Sequence, residues 1–241
     1  MINELKKNYI LNVDGCDSFG QMSPISYFTH IQNISVEHAN MLGLHPYILL
    51  KNNEFWVLTH ILLQINNPIY FTEEFTITTW PQKSNESLRN YRQYRFEKNG
   101  EPFALAKSQW AIIKNKQVIS IEESSLDKNL IYPQKDEFDQ SLSIFEDDFN
   151  ENDLLATYKV VSGDIDINHH MNNVAYLRIL LNCFTVEQLH SHKIKSIEIH
   201  YGKSCFENET LKIYAKEKPN CLSFAIKKAD NHNAVIGEIK Y

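Results

Sequence analysis

The feature that most constrains this chain is a repeat at one fixed spacing. Tyr9 and Tyr158, Asp17 and Asp166, Met22 and Met171, and Tyr27 and Tyr176 all stand 149 residues apart. At that offset Met22-Ser23-Pro24-Ile25-Ser26-Tyr27-Phe28 lies over Met171-Asn172-Asn173-Val174-Ala175-Tyr176-Leu177 without a gap. Identical residues in matching local context mark a duplication. The 241 residues therefore divide into two related units of about 120 rather than one large domain. Clusters such as Asp136-Glu137 and Glu146-Asp147-Asp148 read as an acidic linker, so the expected division is 1–125, linker 126–152, and 153–241.

Within the first unit, Met22, Ile25, Phe28, Ile31, Ile34, Val36, Ala39 and Leu42 recur at spacings of mostly three, one apolar face of a helix over 22–42. From Phe55 the pattern changes to β-branched and aromatic runs, over 56–65, 75–80, 90–96 and 103–113, with turns expected at Asn67-Pro68, Pro81 and Asn99-Gly100. The second unit repeats that order: a strand over 154–161, a helix over 172–189, then strands near 194–201, 210–216, 222–228 and 235–240. A helix apolar round much of its circumference needs a curved sheet about it. That plan is α+β, a tandem double hotdog with each long helix wrapped by an antiparallel sheet.

A net charge of −6 argues against a general grip on nucleic acid or an anionic membrane, which requires a basic face. No stretch approaches the roughly 18 apolar residues of a membrane span, and Met1 to Lys7 lack the apolar core of a signal peptide. A cytoplasmic location is expected. Cys16, Cys183, Cys205 and Cys221 are scattered without a Cys-x-x-Cys pair, so reduced thiols are expected, with neither a zinc ribbon nor a disulfide scaffold. The 7 glycines form no nucleotide-cradling motif.

The halves differ most just before the helix. Asp17-Ser18-Phe19-Gly20-Gln21-Met22 in the first stands against Asp166-Ile167-Asn168-His169-His170-Met171 in the second. Phe19 replaces the Asn168 amide and Gln21 replaces the His170 imidazole, so only the second half keeps a titratable base. Asp166, Asn168 and His170 are spaced i, i+2, i+4 and would share one face of an extended segment. Asn172 or Asn173 is a candidate N-cap, with free N–H groups at the helix end to hold an oxyanion. Histidine supplies a base suited to neutral pH. The same residue types also gather before helices for capping and turns alone. His169 and His170 lack a third ligand at a recognised spacing, so no metal is expected.

Asp166-Ile167-Asn168-His169-His170-Met171-Asn172-Asn173-Val174-Ala175-Tyr176 resembles the Asp-x-Asn-x-His-Val-Asn-Asn-x-x-Tyr signature of plant and bacterial acyl-acyl carrier protein thioesterases, which are double-hotdog enzymes. Met171 departs from the usual Val. Glu54-Phe55-Trp56-Val57-Leu58 and Ser108-Gln109-Trp110-Ala111-Ile112-Ile113 resemble first-domain strands of the same family. The resemblance implies catalytic roles for Asp166, Asn168 and His170, and substrate contacts from Asn172, Asn173, Tyr176, Trp110 and Ser204. Plant members carry Glu-Cys where this chain has Ser204-Cys205. A mechanism based on that Glu cannot operate unchanged. Two remain: Cys205 as a nucleophile activated by His170, or water activated by His170 and Asp166 with Asn168 orienting. The second is the preferred reading, with Cys205 lining the pocket.

The resemblance implies a fatty acyl thioester substrate delivered by acyl carrier protein, no cofactor (the phosphopantetheine arrives on the substrate), and free fatty acid as product. A homodimer is a further expectation. The first-half helix and sheet, with Ile31, Ile34, Leu58, Ile61, Leu63 and Trp110, are expected to hold the acyl chain. Arg89, Arg92 and Arg95 are expected to form a basic patch for the acidic carrier, with Lys193, Lys195 and Lys203 as a second cluster. Three competing readings stay open. Ser162-Gly163-Asp164 followed by Asn168 and His169 resembles the motif of hotdog hydratases and dehydratases; an acyl-coenzyme A thioesterase and a non-enzymatic acyl-binding protein are the others.

Overall fold

Alternating burial along Leu5–Ile10 and again along Leu154–Lys159 opens two units with the same plan, Met1–Ser141 and Leu142–Tyr241. The computed structural model describes residues 3–44, 46–83, 86–126, 132–133 and 135–241, the side chains of Pro46 and Tyr47 excepted.

In unit 1, β1 (Leu5–Ile10) leads to α1 (Pro24–Met41), α2 (Pro46–Lys51), β2 (Glu54–Ile65), β3 (Glu74–Gln82), β4 (Asn90–Lys98), β5 (Glu101–Lys114) and the short β6 (Gln117–Ile119). The antiparallel sheet runs β1-β3-β4-β5-β2, with β6 paired to β5. Ser23 caps α1 by accepting from the Ser26 N–H, and Pro24 sits at N1, where its missing donor costs nothing. Tyr27, Phe28, Ile31 and Ile34 of α1 are buried, each contributing roughly 1.5–3 kcal/mol of apolar burial. The Tyr27 ring meets the edge of Phe96 with centroids 5.3 Å apart. At Asn99-Gly100, φ values of 52° and 85° make the tight β4–β5 turn expected there. Pro81 does not mark a turn. It lies inside β3 opposite Arg92, beyond the last residue paired to β1, where no ladder needs its N–H.

Unit 2 runs β7 (Leu154–Lys159), α3 (Asn173–Leu181), α4 (Val186–Ser191), β8 (Ser196–Tyr201), β9 (Thr210–Lys218), β10 (Cys221–Lys227) and β11 (Asn233–Lys240), in sheet order β8-β11-β10-β9-β7. The single helix expected over 172–189 is two. Thr185 accepts from the Gln188 N–H while Gln188 Oε1 accepts from the Thr185 N–H, and this reciprocal cap starts a new helix instead of continuing the old one. Both units place a single 3-10 turn after the first strand, Val13–Gly15 and Ser162–Asp164, again 149 apart.

The acidic stretch read as a linker is hydrogen-bonded into the units. Leu126 packs with Leu42, Leu44, Leu49 and Ile112. Glu137 pairs with Arg95 at 2.9 Å and Lys135 at 3.1 Å. In unit 2, Ser143 donates from N and Oγ to Glu198, and Asp147 and Asp148 pair with Lys227 and Lys216 at 2.6 and 3.2 Å. Residues 127–131 and 134 of that stretch lie outside the described residues. No described helix is long and apolar enough to cross a membrane.

Candidate active site

The Asp166–Met171 segment is a closed turn, and this corrects the reading of three side chains on one extended face. Ile165 bridges to Met171, the Asp166 N–H donates to the His170 carbonyl at 2.9 Å, and the His169 N–H donates to the Asp166 carbonyl at 3.0 Å. One Asp166 oxygen accepts from the Asn168 N–H at 2.8 Å, the local bond that makes Asp a turn former. His169 takes the left-handed conformation, φ 61°. Asn168 and His169 are left exposed, and His170 is half-buried with its ring 4.9 Å from that of Phe206.

Unit 1 builds the same turn with different side chains. Asp17 N–H donates to the Gln21 carbonyl, Gly20 N–H to the Asp17 carbonyl, and Asp17 Oδ1 accepts from the Phe19 N–H. Gly20, at φ 73°, occupies the position of His169. The backbone architecture thus requires the Asp in both units, whereas Asn168 and His170 are demanded by neither hydrogen-bond pattern.

Two of the helix-end N–H groups expected to be free, those of Val174 and Ala175, are taken. Asn172 Oδ1 accepts from Val174 N–H at 2.8 Å and its carbonyl from Ala175 N–H at 2.9 Å. Asn172 is therefore a cap, and the Asn173 carbonyl accepts from the Tyr201 hydroxyl at 3.3 Å. Behind the turn, Cys205 is fully buried. Its N–H donates to the Tyr176 hydroxyl at 3.2 Å and its carbonyl accepts from Met171 N–H at 2.8 Å. Burial pushes the thiol above its usual range, against the opposing influence of Tyr176 and Lys228, which disfavours a thiolate. In unit 1 the carbonyl accepting from Met22 N–H belongs to Ile69, so Cys205 stands at a core position. Ser204 is exposed, its carbonyl accepting from Lys228 Nζ at 2.8 Å.

Two carboxylates near the turn carry structural duties. Asp164, 2% exposed, accepts from the Tyr158 hydroxyl at 2.8 Å, the Val161 N–H at 3.0 Å and Arg178 Nη2 at 2.6 Å, and its carbonyl accepts from Asn172 N–H. A carboxylate so engaged is not poised to take a substrate proton, which removes the hydratase reading of Ser162-Gly163-Asp164. Sequence reasoning missed Arg178 as its partner, because a pair 14 residues apart across a turn has no local pattern. Glu209 accepts from Phe206 N–H and from Lys228 Nζ, as Glu73 accepts from Tyr70 N–H and Lys98 Nζ in unit 1. Among the described residues no group of three or more His, Cys, Asp or Glu is placed to hold a metal ion.

The unit 1 residues named from the sequence separate. Ile31, Ile34, Leu58, Ile61 and Leu63 are packed core. Trp110 instead lines a cleft of about 650 Å³, its open mouth included, together with Val36, Leu44, Trp56, Tyr91 and Arg92. Its indole N–H donates to Ser108 Oγ at 2.7 Å. Since Ser35 Oγ donates to the Ile31 carbonyl, the Tyr94 hydroxyl between Ser35 and Ser108 donates to Ser35 and accepts from Ser108, a one-way chain. The arginine patch does not form. Arg92 is 7% exposed and donates to His38 Nδ1 at 2.8 Å and Thr79 Oγ1 at 3.2 Å, because strand alternation turns residue 92 inward. Arg95 is committed to Glu97 and Glu137. Lys193, Lys195 and Lys203 of unit 2 are exposed.

Residues 3–127 match the family model described as acyl-ACP thioesterase N-terminal domain, and residues 148–240 that of the acyl-ACP thioesterase C-terminal domain. Among curated proteins, the chloroplastic acyl-[acyl-carrier-protein] hydrolase FATB1 of Cuphea viscosissima is 23% identical over 210 residues, 79% of this chain and 49% of that protein. The chloroplastic palmitoyl-acyl carrier protein thioesterase of Arabidopsis thaliana is 24% identical over 199 residues, 76% of this chain and 47% of that protein. The chain spans about half the length of the curated relatives it matches. Among solved structures, an acyl-ACP thioesterase from Bacteroides thetaiotaomicron superposes with a TM-score of 0.87 at 22% identity, over 99% of this chain and 97% of that one. The 12:0-ACP thioesterase from Umbellularia californica gives 0.79 at 12% identity, over 98% and 95%. These likenesses bear out the double hotdog expected from the repeat.

Proposed function

From the premise that this chain belongs to the acyl-ACP thioesterase family, we propose that it hydrolyses fatty acyl-acyl carrier protein, releasing free fatty acid and the carrier thiol. Water adds to the thioester carbonyl as His170 takes its proton. The tetrahedral intermediate expels the pantetheine sulfur, which leaves as the thiol with the proton returned by His170. The Asn168 side-chain amide orients the water or the carbonyl oxygen. Asp166 is a positioning residue whose carboxylate shapes the turn. Cys205 acts through its backbone, anchoring Met171 beside the base.

The observation that carries this reading is the contrast between units: one turn is built twice, and only the copy in unit 2 has an imidazole on it, with the Asn168 amide where unit 1 has Phe19. The exposed Lys193 and Lys195, which precede β8, supply a basic surface for the acidic carrier, whereas Lys203 follows the other end of that strand. The test is to incubate the protein with acyl-carrier-protein thioesters of several chain lengths and measure fatty acid released, with His170→Ala as control. Release by the wild type that the variant lacks is the expected result; turnover equal in both removes His170 from the chemistry.

A further inference from the structure

The unit 1 cleft has an unusual wall for a purely hydrocarbon guest. Beside Val36, Ala39, Leu44 and Ile121 stand Trp56, Gln82, Asn90 and Arg92. Among the described residues, Trp56 Nε1, Asn90 Nδ2 and Gln82 Oε1 are buried side-chain atoms with no hydrogen-bond partner. A buried donor without a partner typically costs about 1–3 kcal/mol, and three of the five such atoms line this one cleft.

Arg92 adds a charge to the same wall. A guanidinium only donates, so His38 Nδ1 accepts from it, and the proton of the neutral His38 ring sits on Nε2. Both partners found for the cation, His38 and Thr79, are neutral groups, and among the described residues no carboxylate pairs with it. Burial pushes the guanidinium below its ordinary value, opposed by Tyr94. A buried cation without a counter-charge is strongly stabilised by an arriving anion.

We propose that the unit 1 cleft is a binding site for the carboxylate end of an apolar-chain acid, with Arg92, Asn90 Nδ2 and Trp56 Nε1 donating to the oxygens and Val36, Leu44 and Ile121 enclosing the chain. Gln82 Oε1, the single acceptor of the three unpartnered atoms, suits a water that also donates to the carboxylate. Two sources carry this chemistry: a free fatty acid, or the far-end carboxyl of a dicarboxylic acyl group.

Trp56 and Trp110 both line the cleft, so indole fluorescence reports occupancy. Sodium dodecanoate and dodecan-1-ol are titrated separately, below their aggregation limits, into wild type, His170→Ala, Arg92→Met, Asn90→Leu and Trp56→Phe. Dodecanoate is expected to bind wild type and His170→Ala about tenfold or more tighter than the alcohol, the range of a charge-assisted hydrogen bond. Arg92→Met abolishes that preference and leaves alcohol binding unchanged. Asn90→Leu and Trp56→Phe each weaken dodecanoate several-fold and, having lost an unpartnered donor, keep their thermal stability, so the test survives if Arg92→Met does not fold. Equal affinity for acid and alcohol in the wild type, or dodecanoate binding untouched by all folded variants, overturns the proposal. Thioesters of a dodecanedioyl and a dodecanoyl group distinguish the sources: faster turnover of the former, lost in Asn90→Leu, assigns the site to a dicarboxylic acyl group, and equal turnover with retained dodecanoate binding assigns it to free fatty acid. Because binding is read without turnover, an inactive protein that binds dodecanoate refutes the proposed hydrolysis and not this site.

Discussion

Cys205→Ala separates the two mechanisms open to this family signature, and the expected sizes differ by orders of magnitude. The thiol is fully buried, its Sγ is 3.9 Å from the Lys203 carbonyl, and its backbone groups serve Tyr176 and Met171. Truncation to Ala keeps both backbone bonds and removes one heavy atom from a packed site. The transfer and cavity losses for such a deletion come to about 1–2 kcal/mol of stability. If water is the nucleophile, the turnover number stays within about threefold of wild type, since no interaction peculiar to the transition state is lost. If Cys205 forms an acyl-enzyme, its removal costs a factor on the order of 10³ or more. The assay is single-turnover release of fatty acid from acyl-carrier protein, quantified by mass spectrometry so that enzyme thiols do not interfere, with urea denaturation run in parallel. A thousandfold loss in a variant with wild-type near-ultraviolet dichroism would refute the water mechanism. Cys205→Ile adds a second reading: it copies Ile69 from the other unit, so retained folding and turnover would show that the position needs only bulk.

His170→Ala should lower turnover by about 10²–10⁴, the usual contribution of a general base, with Asn168→Ala lowering it about 10–10³-fold; Asn168→Ala should not change stability measurably, since Asn168 is exposed and its side chain is outside the hydrogen bonds that close the turn. Asp164→Asn should cost roughly 1–2 kcal/mol in urea denaturation, because an amide nitrogen then faces Arg178 Nη2; the figure is discounted for the 44% exposure of the Arg178 side chain, and unchanged stability would show the network to be idle. Glu54 provides a pH test. Burial raises its carboxyl, but Ser125, through N–H and Oγ–H, and Lys114 together outweigh that and hold it below the ordinary range. A depressed folded value means the stabilisation is complete above the unfolded value of about 4.5 and is lost as pH falls through the folded one, so Glu54→Gln should be less stable than wild type at pH 7 and converge with it in acid; parallel denaturation curves at both pH values would contradict the assignment. Lys193→Glu with Lys195→Glu should raise KM for carrier-bound substrate at low salt and leave coenzyme A thioesters nearly unaffected, and equal KM changes for both would move the carrier surface elsewhere.

The repeat made the architecture legible because periodicity and turn chemistry act locally: a cap at Ser23 and at Asn172, and a glycine-bearing turn at Asn99, are written in neighbouring residues. What escaped were features set by partners distant in sequence. Arg92 reads as one of three basic residues on a hairpin until β3 and β4 pair in register and α1 places His38 beside it. Asp164 reads as a motif residue until Arg178 arrives from α3. The spacing of Asp166, Asn168 and His170 was visible, but the assumption of extended backbone failed because the Asp166 carboxylate bonds the chain two residues on and folds it back.

The duplication itself offers a sharper criterion than motif matching. Where both units keep a residue and its bonds, as with Asp17 and Asp166 or Glu73 and Glu209, the fold alone accounts for it. Where one unit substitutes freely while the backbone stays the same, the fold does not care and chemistry is left to explain the difference. Gly20 against His169 tests that logic on the turn. The left-handed position costs an L-residue about 1–2 kcal/mol that glycine does not incur, so His169→Gly should match or raise stability. If turnover also survives, His169 is a tolerated occupant of a glycine site and the imidazole that matters is His170; a loss of turnover in a more stable protein would instead assign His169 a part in the reaction, and the pairing of Gln21 with His170 would no longer mark the difference between a working turn and an idle one.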